Sequence, residues 1–197
     1  MKVIEFFLEF HKGKGLPAQA IDRLFDQMSE TQIRSRPHPA VNSVAWIIWH
    51  MARAEDTGVN RYVVDRPQVF DEGAWGERMK VTIRHHGGGM TDAEVTALSQ
   101  QIDLPALRAY YQAVRARTVE VVKTLTPDQL DEIPDSTERR RIIDAEGIFP
   151  PTLSPNRLPY QEWSRGALLI HLGMTHNYGH FYEVCTVCSL MGIPFWQ

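Results

Sequence analysis

His176 and His180 lie four residues apart in the segment His176-Asn177-Tyr178-Gly179-His180-Phe181-Tyr182-Glu183. An α-helix turns by about 100° per residue, so the second imidazole falls about 40° from the first and Glu183 about 20° to its other side. Two imidazoles one turn apart are what a helix needs to offer both to one ion. Leu169 and Leu172 extend that face upstream, and Gly173 and Gly179 flank it, which would let another helix come close. His171 is expected about 140° away, off the face. Asn177 rather than Glu follows the first His, so the zinc-protease pattern is absent. A structural or solvated histidine pair has the same spacing.

A third ligand has to come from another helix, and His50 is the candidate. It follows the longest wholly apolar run, Val44 to Trp49, and shares a face with Trp46, Ile47 and Thr57. Glu55 and Asp56 project well away from it. The same pattern fits a core histidine bonded to a backbone carbonyl. Arg53 comes one turn after His50 on nearly the same face and is placed to steer an acidic group. Glu183 puts a carboxylate on the imidazole face. It could be a fourth ligand, an orienter of His180, an acid or base, or a solvated helix-end charge.

Other groups weigh less. Cys185 and Cys188 form a lone C-x-x-C that points away from His176; without a βαβ context it reads as helix packing. His85-His86, before three Gly, reads as an exposed loop pair, with a mobile lid or a secondary metal contact as the alternative. Arg139-Arg140-Arg141 could meet an anion, but a charge run is usually solvated. Trp46, Trp49, Trp75 and Trp163 are expected in the core or in a cleft wall.

Helical periodicity dominates the chain and strand alternation is scarce. Val3 to about Met28 is helical, with a break at Lys12-Gly13-Lys14-Gly15 and Pro17 in the first turn of the second piece. A second helix starts on Asn42 or Ser43 and runs to roughly Val64, before Arg66-Pro67. Residues 65–90 read as irregular. Thr91-Asp92-Ala93-Glu94 is a capping box for a short helix through Leu98. Asp103 caps a long helix to Leu125, and Thr126-Pro127 starts one or two further turns. Five of the twelve Pro fall between Asp131 and Pro159, which reads as a long surface excursion. The last helix spans about Glu162 to Leu190, with Gly192 as its C-terminal cap. Four long helices with two long connections give an all-α, single-domain, four-helix bundle over residues 1–197.

The 197 residues are 43% hydrophobic and 23% charged, with a net charge of -3, which suits a soluble domain and disfavours a basic nucleic-acid binder. Two Cys exclude a disulfide scaffold and leave any metal site to the eight His. The longest apolar run is far short of the ~20 residues that span a bilayer, so no membrane contact is expected. Met1-Lys2-Val3-Ile4-Glu5-Phe6-Phe7 carries an acid and lacks a small-residue cleavage site, so no signal peptide and a cytoplasmic location are expected.

The segment Asn42 to Asp56, with its Trp46-Ile47-Ile48-Trp49-His50 core, resembles the second-helix signature of the DinB-like superfamily. His176 to Val184 resembles that family's closing His-x3-His-x-Gly-Gln motif, and Gly89 to Val95 is similar to a mid-chain segment of one branch. The resemblance spans nearly the whole chain. It implies a four-helix bundle in up-down-down-up order, with a divalent metal held by three His. Carried over by position, these are His50, His176 and His180. The chain departs from the motif at Tyr182, which puts bulk where close packing is expected, and at Glu183, in place of Gln.

Three neutral imidazoles suit Zn²⁺ first and Ni²⁺ or another borderline ion next. Members of the superfamily include transferases and isomerases that use a low-molecular-weight thiol. The resemblance therefore implies metal-assisted transfer of a small thiol to an electrophilic small-molecule substrate. Glu183 and Arg53, from their own positions on the helices and not from the resemblance, are the catalytic candidates. Two alternatives stand beside it: a hydrolase using a metal-bound water, and a non-enzymatic metal-binding or stress-related interaction protein. A bundle of this kind is also compatible with a homodimer.

Overall fold

The computed structural model describes residues 3–12, 16–150 and 162–194 of the chain. Among these, regular structure is helical throughout. The first expected helix comes as α1 (Val3–Lys12) and α2 (Leu16–Gln27), with Pro17 in the first turn of α2. Its Gly13-Lys14-Gly15 break lies outside the described residues. A short α3 (Glu30–Arg34) follows behind a Ser29–Gln32 capping box.

The second long helix starts as expected on Ser43, whose hydroxyl accepts from the Trp46 N–H at 3.0 Å. It is α-helical as α4 (Val44–Glu55) and then widens into a π segment, Asp56–Val63. Residues 65–90 are not all irregular. Two short helices, α5 (Val69–Glu72) and α6 (Trp75–Met79), lie there, the latter bracketed by Ala74 and Lys80 in the left-handed region. Their apolar side chains Phe70 and Trp75 pack their rings on Tyr110, with centroids 5.9 and 5.5 Å away.

Thr91 and Glu94 form the expected capping box, and α7 (Asp92–Gln101) runs a turn beyond Leu98. Asp103 caps α8 (Leu104–Thr124), and Thr126 caps α9 (Pro127–Asp131). The expected surface excursion holds a further helix, α10 (Ser136–Glu146). It fits between Pro134 and Pro150, starts on the Asp135 carboxylate and ends at Gly147 with φ +58°. It is anchored by Ile142 and Ile143. Residues 151–161 lie outside the described residues. The last long helix begins on Ser164 rather than near Glu162. It runs as α11 (Arg165–Ile170), a second π segment His171–Thr175, and α12 (His176–Leu190), with Gly192 at φ +69° just beyond.

The molecule is thus all-α, but more finely divided than a plain four-helix bundle. Caps and turn residues stop the chain wherever the apolar stripe ends. α4 packs against α8 and α12, α1 against α8, and α11 against the first π segment. The buried side chains form two clusters. One gathers α4, α8 and the downstream part of α12, including Trp49, Tyr110, Tyr111 and Phe181. The other gathers Phe7, Val59, Tyr62, Val121, Leu168 and Leu172. No helix among the described residues is long and apolar enough to cross a membrane.

The two π segments touch at Gly58. A Cβ there would lie 2.5 Å from both the Cβ and the Cδ1 of Leu172, and 3.0 Å from its Cγ. Of the glycines expected to admit a neighbour, Gly173 does, since its Cβ would meet the Phe7 ring at 3.0 Å, whereas Gly179 faces open space. Gly58→Ala should therefore lower stability by about 1–3 kcal/mol, the usual cost of overpacking. In a denaturant titration, the Gly58→Ala, Leu172→Ala double variant should lose less than the sum of the two single losses. Full additivity would show that the contact is not shared.

Candidate metal centre

α4 brings His50 to the start of α12, where His176 and His180 stand one turn apart. The ring centroids are 5.0 Å apart for His50 and His176, 4.6 Å for His50 and His180, and 4.5 Å for His176 and His180. One nitrogen from each ring lies within 4.8 Å of the other two, a spacing at which the three could hold a metal ion.

Two of the three rings are held by hydrogen bonds to different partners. Trp46, one turn before His50, stacks on it at 4.8 Å with 9° between the planes. The His50 Nδ1–H donates to the His86 carbonyl, which leaves Nε2 as the nitrogen available to an ion. The His180 Nδ1–H donates to Glu183 Oε2 at 2.7 Å, and Asn42 Nδ2 donates to the other carboxylate oxygen at 3.0 Å. The His176 Nδ1 is buried with no hydrogen-bond partner. A buried ring nitrogen with no partner, on a histidine whose neighbours are two other imidazoles, fits a ligand residue.

The electrostatics point the same way. Burial first, and then the neighbouring His180, lower the His50 pKa to about 4. Burial with the His50 and His180 rings lowers that of His176 to about 2. Both are therefore neutral at pH 7, the form that binds metal. Burial would raise the Glu183 carboxyl, but the hydrogen bonds from His180 and Asn42 outweigh it and lower the pKa. Two neutral imidazoles beside a third that is hydrogen-bonded to Glu183 suit a borderline divalent cation.

Two sequence-based expectations change here and a third is refined. His171 stays outside the converging group, as expected, but lies nearer to it than regular α geometry would place it. The His176 N–H bonds back to the His171 carbonyl, five residues earlier, and this wide turn brings the His171 ring to 6.3 Å from the His176 ring. His85 and His86 are not an exposed pair but half-buried, and the His86 ring lies 5.8 Å from His50 and 4.9 Å from Phe149. Burial lowers the His86 pKa to about 3. Arg53, expected to steer an acidic group, has no exposed surface. Its guanidinium is engaged by Asp56, Tyr110, Gln68 and the Arg84 carbonyl, with none left for a ligand.

The remaining groups fall into place more simply. Glu183 sits on the imidazole face and orients His180. Tyr182 is 54% exposed, so its bulk meets solvent rather than a helix. Cys185 and Cys188 are free and buried, with burial raising both thiols to about 11, as packing residues would be. Arg141 pairs with Glu138 in solvent, while Arg139 is buried over the Tyr62 ring. Trp46, Trp49 and Trp75 are in the core. Trp163 is 38% exposed with its ring 5.2 Å from His171. Asn42 and the His86 carbonyl are the supports missed from sequence. A glycine-rich loop directly after a His pair was the signal for the second.

A family model described as the DinB superfamily matches residues 18–182. Among solved structures, a conserved protein from Enterococcus faecalis shares 17% sequence identity, covering 98% of this chain and 99% of that one, with a TM-score of 0.72. At that identity the likeness is one of fold. No curated protein matches the chain.

Because His50 and His176 bind protons more weakly folded than unfolded, the unfolded state takes up more protons as pH falls below about 6.5. The stability they contribute is complete above that value and is lost as pH drops toward 4. In chelator, the melting temperature of the metal-free protein should fall steadily from pH 7 to pH 5, with a shallower slope for His176→Leu. Equal slopes would contradict the buried neutral state.

Proposed function

This chain belongs to the DinB superfamily, and we propose that it binds a divalent metal ion through His50, His176 and His180 and activates a small thiol for transfer to an electrophile. The observation that carries the metal assignment is the convergence of three imidazoles from two helices, one with an orphaned buried nitrogen. Zn²⁺ is the favoured ion and Ni²⁺ the next. Bound there, the ion would supply a full positive charge, undiminished by any acidic ligand, that lowers the pKa of a thiol beside it.

The chain's own groups would do the rest. The His86 carbonyl and Glu183 each take the Nδ1–H of one ligand and so fix the tautomer that presents Nε2. Trp46 covers one side of His50 and keeps water from it. Glu183 acts through His180, since its oxygens are engaged by His180 and Asn42. This supports an orienting role over that of a base for hydrolysis. In net terms, the thiol gives up its proton to solvent, its sulfur bonds to the electrophilic carbon, and the leaving group departs with its electron pair. We further propose a cytoplasmic protein acting on a small molecule; its net charge of -3 disfavours a nucleic-acid substrate.

Untagged protein should carry close to one divalent ion per chain, and His176→Ala should carry little. Equal content in both would sink the three-histidine site. Conjugation of an electrophilic dye should then be metal-dependent with one of bacillithiol, mycothiol, coenzyme A or glutathione. Absence of any such rate would leave a metal-binding role without transfer. Glu183→Ala should weaken metal binding about 10–100-fold, read by competition with a chromophoric chelator.

A further inference from the structure

Three contacts mould the segment 84–87 onto α4. Arg53 Nε donates to the Arg84 carbonyl at 3.1 Å, and its Nη2 donates to the same oxygen. His50 Nδ1 donates to the His86 carbonyl. Gly87, at φ +94°, lies so close that a Cβ would fall 2.5 Å from the Trp49 ring and 3.1 Å from that of Trp46. On the far side, the Arg84 side chain pairs with Asp71 and Glu146.

Arg53 is itself immobilised. Nη1 donates to the Tyr110 hydroxyl at 2.9 Å and to Asp56 Oδ2 at 3.3 Å, and Nη2 also donates to Gln68 Oε1 at 2.7 Å. The guanidinium lies over the Phe70 ring, 4.2 Å from its centroid. With Nε on the Arg84 carbonyl, all five N–H groups have acceptors, which only the planar guanidinium fork can provide at once.

We infer that Arg53 is a positioning residue for the metal centre. It fixes the Arg84 carbonyl and with it the backbone two residues on, so that the His86 carbonyl meets His50 Nδ1 and His50 presents Nε2 to His176 and His180. The stacked Trp46 sets the plane of the His50 ring but not which nitrogen carries the proton. The His86 carbonyl does that, because a carbonyl only accepts. The inference rests on the metal reading for its consequence, but the hydrogen-bond chain exists without an ion.

Arg53→Lys keeps a positive charge opposite Asp56 but loses the fork. Gly87→Ala displaces the segment and leaves the Arg53–Asp56 pair intact, which covers the case in which Arg53→Lys does not fold. Tyr110→Phe removes one bond to Arg53 and none to the segment. In ¹⁵N spectra of the metal-free protein, wild type and Tyr110→Phe should show His50 protonated on Nδ1 alone. Arg53→Lys and Gly87→Ala should show mixed tautomers. Titration with Co²⁺ should weaken about 10–100-fold for the latter two and stay unchanged for Tyr110→Phe, although that variant melts earlier. A wild-type tautomer and wild-type Co²⁺ affinity in folded Arg53→Lys or Gly87→Ala would overturn the inference. Tautomers that shift as expected in a protein that binds no Co²⁺ would uphold the positioning and overturn the metal reading instead.

Discussion

Two consecutive carboxylates, Glu55 and Asp56, are sealed from water in the middle of one helix. A buried carboxylate without donors is too costly to keep, so the surrounding elements have to supply them. Glu55 receives His11 Nε2 at 2.7 Å and the Asn177 side chain. Burial would raise its pKa, but His11 and Arg115 prevail and lower it. Asp56 receives Tyr110 at 2.7 Å, Asn60 at 2.8 Å, Arg53, and the backbone N–H groups of Val69 and Phe70, each at 2.8 Å. Two adjacent side chains thereby tie α1, α12, α8 and α5 to the same stretch of chain.

The candidate centre inherits its precision from these bonds. Asn177 lies between the two histidines of α12 in sequence, and its contact with Glu55 sets how α12 sits along α4. That setting decides whether His176 and His180 meet His50. The carboxylates point away from the imidazoles, so the same helix serves two purposes on two faces. One face locks the neighbours with charge, and the other stays neutral and presents lone pairs. Keeping the acids on the far face leaves the imidazole cluster with no acidic ligand, and hence preserves the charge of whatever cation it takes.

Much of this was legible in the chain. The His176–His180 turn, the place of Glu183 on their face, and the caps Ser43, Thr91, Asp103 and Thr126 all follow from helical geometry and short-range hydrogen bonding. His50 as a partner needed the resemblance, because a core histidine has the same apolar context. Arg53 misled because a charge beside a ligand reads as exposed; Asp56, three residues on, was the hint that it was paired inside. The His86 contribution was hidden because it is made by the backbone, whose role no side-chain pattern reports. α10 was obscured by the prolines on either side, although Asp135 and Gly147 mark its ends. His171 stays out of the group as its spacing implies, but its nearness to His176 was hidden because the stretch His171–Thr175 is not α-helical.

That stretch does more than shift one histidine. In both long helices the π segment falls where the helix passes from one buried cluster to the other. Each widened turn takes in surplus chain and so resets the angular phase between the two halves. The upstream half can be timed to one core and the downstream half to the imidazoles, with neither compromising the other. Regular α geometry imposed on His171–Thr175 with no residue removed would put the halves out of step by about 100°. The chain would then have to choose between its hydrophobic seam and its histidines. The centre is thus insulated from the packing of Leu168, Leu169 and Leu172, and the two parts of one helix are free to diverge in sequence separately.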